Sequence, residues 1–207
     1  MADASGIAER LGVFGSSFNP PHLAHLAVID AAIRQLGLDR VIVVPTGDAY
    51  HKESERDPGG AERLQLAAAA FAGIEGVEVS AMEIEREGPS YTCDTLQEIA
   101  DRDPDTEIHL LMGADAAKDI GSWHRPQRIL ELARVAVAPR AGVPREDVEA
   151  AFSELGAGDR VEFLEMPEVD ISSTAIRRQI TEGEPVGHLL PADVAQMIEN
   201  GDTYGND

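Results

Sequence analysis

The chain of 207 residues contains one cysteine, Cys93, and only two lysines, Lys52 and Lys118. A single cysteine excludes an intramolecular disulfide and favours a reducing compartment. Apolar runs stay well below the ~18 residues that a membrane-spanning helix needs, and the N-terminus lacks the apolar region of a secretory signal. We therefore expect a soluble, cytoplasmic protein that does not act at a membrane.

Basic residues are scarce as a group, because 17 Lys and Arg stand against 38 Asp and Glu, which gives a formal net charge of −21. Such a surface repels nucleic acid and anionic membranes, so neither is expected as a partner. A solvated, solubilising surface is the simplest reading of the acidity. A nucleotide ligand would have to arrive with Mg²⁺ and meet a local group of cations. The composition does not decide whether the protein forms a homo-oligomer.

Short apolar runs alternate with helical patterns along the whole chain. Strands are predicted at Leu11–Phe14, Arg40–Pro45, Val77–Ser80, Ile108–Met112, Val135–Pro139 and Val161–Leu164. Helices are predicted at Pro20–Leu36, Ala61–Ala72, Tyr91–Asp101, Arg125–Ala133, Arg145–Leu155, Ser172–Glu182 and Pro191–Asn200. The near-continuous apolar character of VIVV and IHLLM indicates strands that helices cover on both faces.

This alternation predicts an α/β fold with a Rossmann-like, doubly wound parallel sheet and helices on both faces. We expect a single domain over residues 1–207, in which residues 168–207 form a small C-terminal helical portion. Ligands of such sheets bind beyond the carboxyl ends of the strands. Candidate site residues should therefore follow predicted strands.

The segment GVFGSSFNPPHLAHL runs from the first strand through a tight loop into a helix. Gly15 and the small Ser16 allow close approach of a ligand to the backbone, and Asn19 is a candidate N-cap. A helix N-terminus offers free N–H groups and partial positive charge to phosphate. His22 and His25 lie three residues apart, so they share one helix face. The pair could also form half of a metal site, but no third ligand follows at helical spacing, and we predict no protein-held metal.

A second candidate anion site is the segment ISSTAIRRQI. Ser172 is a natural N-cap, and Ser173, Thr174 and the free amides of the first turn can donate to phosphate oxygens. Arg177 lies on the same face as Thr174 and carries a bidentate fork. Alone, the segment would be read as a capped surface helix; two such helix starts in one chain favour phosphate binding.

Six motifs in order resemble those of the nicotinate-nucleotide adenylyltransferase family of the HxGH nucleotidyltransferase superfamily. The first segment is similar to the family's GxFGGSFNPxHxGH. The others are PTGDAYHK, GPSYTCDTL, GADAAKDIGSW, APRAG and ISSTAIRRQI. The resemblance covers most of the chain. It implies that ATP and nicotinate mononucleotide are joined to nicotinate adenine dinucleotide, with release of pyrophosphate and with Mg²⁺ accompanying ATP.

The resemblance also implies roles for individual residues. His22, His25, Lys52 and Arg177 would contact the reacting phosphates. The nucleotide contacts that it implies are Gly15, Ser16, Phe18, Gly113, Asp115, Arg140, Ile171, Ser172, Ser173 and Thr174. Tyr91 and Thr92 would contact the nicotinate carboxylate, and Trp123 would stack on the pyridine ring. For Asp115, a plain role as N-cap of a following helix is an equal alternative.

Three positions depart from the family pattern. Ser16, Ala24 and Ala116 stand where the family has Gly, Gly and Ser. Ala24 lies where a glycine would let the helix backbone approach the nucleotide, so we expect altered affinity. Nicotinamide mononucleotide or phosphopantetheine as acceptor, and a catalytically silent nucleotide-binding module, are the alternative functions.

Overall fold

The computed structural model describes residues 8–47, 57–201 and 203–204. The predicted phosphate contact Lys52 lies outside these residues. The strands are β1 (Arg10–Ser16), β2 (Arg40–Pro45), β3 (Val77–Val79), β4 (Glu107–Gly113), β5 (Ala133–Ala138) and β6 (Val161–Phe163). The α-helices are α1 (Leu23–Leu36), α2 (Gly60–Phe71), α3 (Thr92–Arg102), α4 (Ala114–Lys118), α5 (Pro126–Leu132), α6 (Arg145–Glu154), α7 (Ser173–Thr181) and α8 (Ala192–Asn200).

All six strands pair in parallel in the order β3-β2-β1-β4-β5-β6. The predicted doubly wound parallel sheet is therefore confirmed. The strand order reverses between β1 and β4, whose register places Phe14 opposite Leu111. Such a switch point opens a crevice at the carboxyl ends of the strands, which is where parallel α/β sheets bind ligands.

Helices cover both faces of the sheet, because buried strand residues alternate between two separate hydrophobic clusters. On β2, Ile42 and Val44 join Leu96, Ile129 and Phe152, which belong to α3, α5 and α6. The neighbouring Val41 and Val43 join the second cluster. Its helical members come from α1, α2, α7 and α8 and include Ile29, Leu66, Ile176 and Val194. This arrangement explains why these strands are apolar at consecutive positions.

Helix α1 begins later than the sequence predicted. The N-cap is His22 and the first helical residue is Leu23, so the prediction that Asn19 caps a helix starting at Pro20 was wrong. Pro20 and Pro21 are consecutive, and a residue that precedes a proline is disfavoured in the helical region. The helix therefore starts only beyond both prolines, and this later start places His22 at its N-cap.

A helix at α4 was predicted only within the alternative that Asp115 caps it, because its five residues are too few to show a helical period. Its N-cap is Gly113 and Asp115 lies in its first turn, so the alternative that Asp115 is the N-cap was wrong. No helix among residues 8–47, 57–201 and 203–204 is long and apolar enough to span a membrane.

Candidate functional site

The carboxyl edge of the central strands collects the residues that the sequence singled out. His22 and His25 follow β1, Gly113 ends β4, and Arg140 follows β5. These three strands are neighbours in the sheet. We call residues 17–22, between β1 and α1, the histidine loop.

The two histidine rings are stacked, with centroids 3.7 Å apart and planes 20° from parallel. The backbone N–H of His22 donates to Nδ1 of His25 at 3.1 Å. Because Nδ1 accepts, the proton of the neutral His25 imidazole lies on Nε2. His25 therefore presents one oriented N–H donor, which suits a phosphate oxygen.

Both imidazoles are neutral in the free protein at pH 7. Burial and the positive charge of Arg140 lower the pKa of His22 to about 4. Burial, then His22 and Arg140, lower the pKa of His25 well below its ordinary value. An incoming phosphate would oppose the effect of Arg140 and raise the pKa of both histidines.

Phe18 packs against the histidine pair from the protein interior. Its side chain is fully buried, and its backbone has φ of 48°, a left-handed conformation that a bulky residue rarely adopts. The Phe18 ring packs edge-on against His25, with centroids 5.0 Å apart. The side chain thus fixes the His25 ring, and any contact of Phe18 with a nucleotide is left to its backbone.

Helix α7 is joined to the histidine loop by direct hydrogen bonds. The predicted cap is confirmed, since the Ser172 hydroxyl accepts from the N–H of Ala175 at 3.2 Å. The Ser173 hydroxyl donates to the carbonyl oxygen of Pro20 at 2.8 Å, and Nη1 of Arg177 donates to that of Asn19 at 2.7 Å. The two predicted anion sites are therefore adjacent.

The remaining residues of the ISSTAIRRQI segment lie around the contact between α7 and the histidine loop, which we call the junction. Thr174 is exposed and its hydroxyl accepts a long hydrogen bond of 3.4 Å from Nη2 of Arg177. Ile171 is half-buried and packs against the second core cluster. Ser173 uses its hydroxyl proton on Pro20, so in this conformation its free contribution to an anion is its backbone N–H.

Three aromatic residues, Tyr91, Trp123 and His124, form another part of the candidate site. The Tyr91 and His124 rings stack, with centroids 4.2 Å apart and planes 25° from parallel. Tyr91 is the N-cap of α3 and Thr92 is its first residue. Trp123 is half-buried against the first core cluster. The stack brings the SYT motif and the tryptophan motif together, and we call this set the aromatic wall.

Beyond β4, the chain turns tightly. A Cβ atom at Gly113 would lie 2.7 Å from Oδ1 of Asp115, so a larger residue there would displace the Asp115 side chain. The Asp115 side chain is exposed at this edge. At the end of β1, Gly15 is exposed and Ser16 is half-buried, so the backbone of both can be approached from solvent.

Sequence reasoning missed four residues that shape the site: Arg63, Glu83, His124 and Tyr204. Arg63 and Glu83 are buried, and Tyr204 donates to Oδ1 of Asn19 at 2.7 Å. A single polar residue within an amphipathic pattern belongs to no recognisable motif. Its role becomes visible only from the residues that it contacts in the folded protein. His124 follows Trp123 directly, and its aromatic character was the one signal available. Across the described ranges, no group of three or more His, Cys, Asp or Glu side chains is arranged to hold a metal ion.

The sequence pattern of the Cytidylyltransferase-like family matches residues 13–179. A relative from Albidiferax ferrireducens, named "Probable nicotinate-nucleotide adenylyltransferase", is 40% identical over 200 residues, which are 95% of this chain and 98% of the relative. A relative of the same name from Dehalococcoides mccartyi is 35% identical over 200 residues, with 96% and 98% covered.

Solved structures share the fold. The nicotinic acid mononucleotide adenylyltransferase of Plasmodium falciparum, complexed with NaAD, superposes with a TM-score of 0.77 at 16% identity, covering 96% of this chain and 98% of that one. The same enzyme complexed with APC gives a TM-score of 0.75.

Proposed function

Because the chain belongs to the nicotinate-nucleotide adenylyltransferase family, we propose that it transfers the adenylyl group of ATP to nicotinate mononucleotide at the junction of the histidine loop and α7. The family resemblance expected from the motifs is thus confirmed, and with it a nucleotidyltransferase of pyridine nucleotide (NAD) biosynthesis. The proposal concerns the acceptor and the residues that perform the transfer.

One observation carries the assignment of residues. Arg177 and Ser173 of α7 hold the backbone of Asn19 and Pro20, three and two residues before the first histidine. Two helix N-termini, two imidazoles and the Arg140 guanidinium therefore converge on one edge of the sheet. In a chain with a net charge of −21, such a local concentration of donors and cations suits a polyphosphate.

The reaction requires little covalent chemistry from the protein. An oxygen of the acceptor phosphate, already ionised at neutral pH, attacks the α-phosphorus of ATP. The bond from that phosphorus to the bridging oxygen breaks, and pyrophosphate leaves with the electron pair. Catalysis then consists of alignment and stabilisation of charge on the phosphoryl oxygens. The N–H donors of His22 and His25, with Arg140 and Arg177, supply that stabilisation.

Mg²⁺ enters as part of the substrate, bound to the phosphate oxygens of ATP. The donors at the junction are N–H groups and guanidinium groups, which fit phosphate oxygens, and Asp115 is an exposed carboxylate in the first turn of α4, directly after β4. Lys52 is proposed as a further phosphate contact on the resemblance of PTGDAYHK alone, since it lies outside the described residues.

The aromatic wall is proposed as the site of the pyridine ring. Trp123 offers a flat apolar face, and the backbone N–H groups at the start of α3, by Tyr91 and Thr92, can donate to a carboxylate. The acidic nicotinate would gain from those donors, whereas a neutral nicotinamide would gain less.

The test is release of pyrophosphate with Mg·ATP and each of three acceptors. Nicotinate mononucleotide should give the highest kcat/KM, and nicotinamide mononucleotide and phosphopantetheine should give much lower values. A preference for either of the latter would contradict the proposed acceptor. Binding of ATP with no release for any acceptor would indicate a silent nucleotide-binding module.

We further propose that the chain acts as one domain in the cytoplasm, as its single cysteine suggests. Its acidity argues against nucleic acid or a membrane surface as partner. Gel filtration coupled to light scattering would establish whether the active form is a homo-oligomer.

A further inference from the structure

Two buried charged side chains contact the backbone of one residue that the proposed reaction does not itself use. Arg63 of α2 is 3% exposed and Glu83 is 6% exposed. Both contact Gly47, which follows β2 at the carboxyl edge of the sheet. Buried charges are costly unless they are fully paired, so their placement calls for a reason.

Arg63 connects the histidine loop with residues 46 and 47, which follow β2. Its Nη1 donates to the carbonyl oxygens of Ser17 at 3.0 Å and Thr46 at 2.6 Å. Its Nη2 donates to the carbonyl oxygen of Gly47 at 3.1 Å, and its Nε donates to Asp57 at 3.0 Å. The planar guanidinium thus joins the histidine loop to residues 46 and 47, which follow the neighbouring strand.

Glu83 connects the backbone of Gly47 with the aromatic wall. Its carboxylate accepts from the N–H of Gly47 and, at 2.6 Å, from the hydroxyl of Thr95. Arg86 donates to that hydroxyl at 3.0 Å. Thr95 lies on α3, one turn after Tyr91, so Glu83 ties the loop after β2 to the helix that begins at the aromatic wall.

Gly47 sits so close to its neighbours that no other residue fits. A Cβ atom at this position would lie 2.1 Å from the carbonyl oxygen of Glu83 and 2.8 Å from Oγ of Ser90. Since Ser90 directly precedes Tyr91, the separation between Gly47 and the aromatic wall is set by close approach of the Gly47 backbone to the Ser90 side chain.

We infer that Arg63 and Glu83 are positioning residues which, through the backbone of Gly47, set the separation between the histidine loop and the aromatic wall. This inference rests on the proposed function, in which the two elements hold ATP and the acceptor. The transfer requires the acceptor phosphate within attack distance of the α-phosphorus, and a displacement of about 1 Å can cost roughly a hundredfold in rate.

Gly47→Ala is the sharpest test, because the added methyl group must force the two elements apart. We expect kcat to fall about a hundredfold, with a smaller change in either KM. The matched control is Gly187→Ala, where an added Cβ meets nothing within 4 Å. Leu11→Ala controls for stability, since Leu11 is fully buried near the opposite end of β1.

Arg63→Lys and Glu83→Gln keep the approximate shape of each side chain and test the inference even if Gly47→Ala does not fold. Lysine cannot span the carbonyl groups that the guanidinium holds, so we expect kcat to fall roughly tenfold and KM for ATP to rise. Glu83→Gln should raise KM for nicotinate mononucleotide more than KM for ATP.

The inference is overturned if these variants keep wild-type kcat and KM values, or if their activity falls only with the folded fraction, as expected for Leu11→Ala. A wild-type protein that releases no pyrophosphate with any acceptor would contradict the proposed function alone. Calorimetric titration with Mg·ATP and nicotinate mononucleotide would then test the inference. The same variants should weaken binding of these nucleotides about tenfold relative to Gly187→Ala, and unchanged affinities would overturn it.

Discussion

The guanidinium of Arg177 donates to the carbonyl oxygen of Asn19 at 2.7 Å, although the two residues are 158 positions apart in the chain. This hydrogen bond joins the start of α7 to the histidine loop. Tyr204 holds the Asn19 side chain at 2.7 Å from another direction. The C-terminal part of the chain therefore helps to form the nucleotide site as well as to cover the sheet.

His25→Ala should lower kcat by about two to three orders of magnitude, because it removes a preorganised donor to the transferring phosphoryl group. The fold should persist, as judged by circular dichroism. Steady-state pyrophosphate release measures the effect. His188→Ala removes an exposed histidine of the 187–189 turn and serves as control. Near-normal turnover of His25→Ala would contradict the role assigned to His25.

The stability of the protein should depend on pH through His22. In the folded protein its pKa is lowered from 6.5 to about 4, so the unfolded chain binds more protons than the folded one between these values. Stability is fully present above pH 6.5 and falls as the pH is lowered towards 4. The loss attributable to His22 should be at most on the order of 3 kcal/mol.

Urea unfolding across this pH range, compared with His22→Asn, measures that loss. Asparagine is a good N-cap and does not titrate, so its stability curve should be flatter over the same range. Parallel curves for the two proteins would show that the histidine does not carry the dependence.

Arg177→Ala should lower kcat/KM for ATP by about a hundredfold, because it removes both a phosphate donor and the link to Asn19. Arg177→Lys should recover only part of this loss, since a single ammonium cannot reproduce the fork. The neighbouring Arg178 is exposed, and Arg178→Ala should leave both kinetic constants unchanged. Equal effects of Arg177→Ala and Arg178→Ala would refute a specific role.

Tyr204→Phe should lower the free energy of unfolding by about 1 to 2 kcal/mol, because it deletes the donor to a buried amide oxygen. It should also raise KM for ATP modestly, as Asn19 lies in the histidine loop. Urea unfolding and initial rates provide the two measurements. Unchanged values in both would mean that the hydrogen bond does not support the loop.

Ala24→Gly would restore the residue that the family has in the first turn of α1. We expect a lower KM for ATP, because the backbone could lie closer to the nucleotide. Stability should fall by about 1 kcal/mol, since glycine is unfavourable in a helix. Initial rates with varied ATP, paired with thermal unfolding, separate the two effects. An unchanged KM would show that the methyl group does not meet the nucleotide.

The sequence by itself determined the alternation of strands and helices, and therefore the parallel sheet and its ligand-binding edge. It also determined the Ser172 cap, since a serine before a helical pattern caps through local hydrogen bonding. The ordered motifs identified the segments that lead into α1 and α7, together with Tyr91 and Trp123, because these signals lie within a few consecutive positions.

Tertiary structure alone decided how these pieces meet. The attachment of Arg177 to Asn19, and of Arg63 and Glu83 to Gly47, depends on hydrogen bonds between distant segments, which no local pattern records. The neutral state of His22 likewise arises from burial and from Arg140, not from neighbouring residues in the chain. Local sequence fixes which groups are available, and packing fixes their partners, distances and protonation.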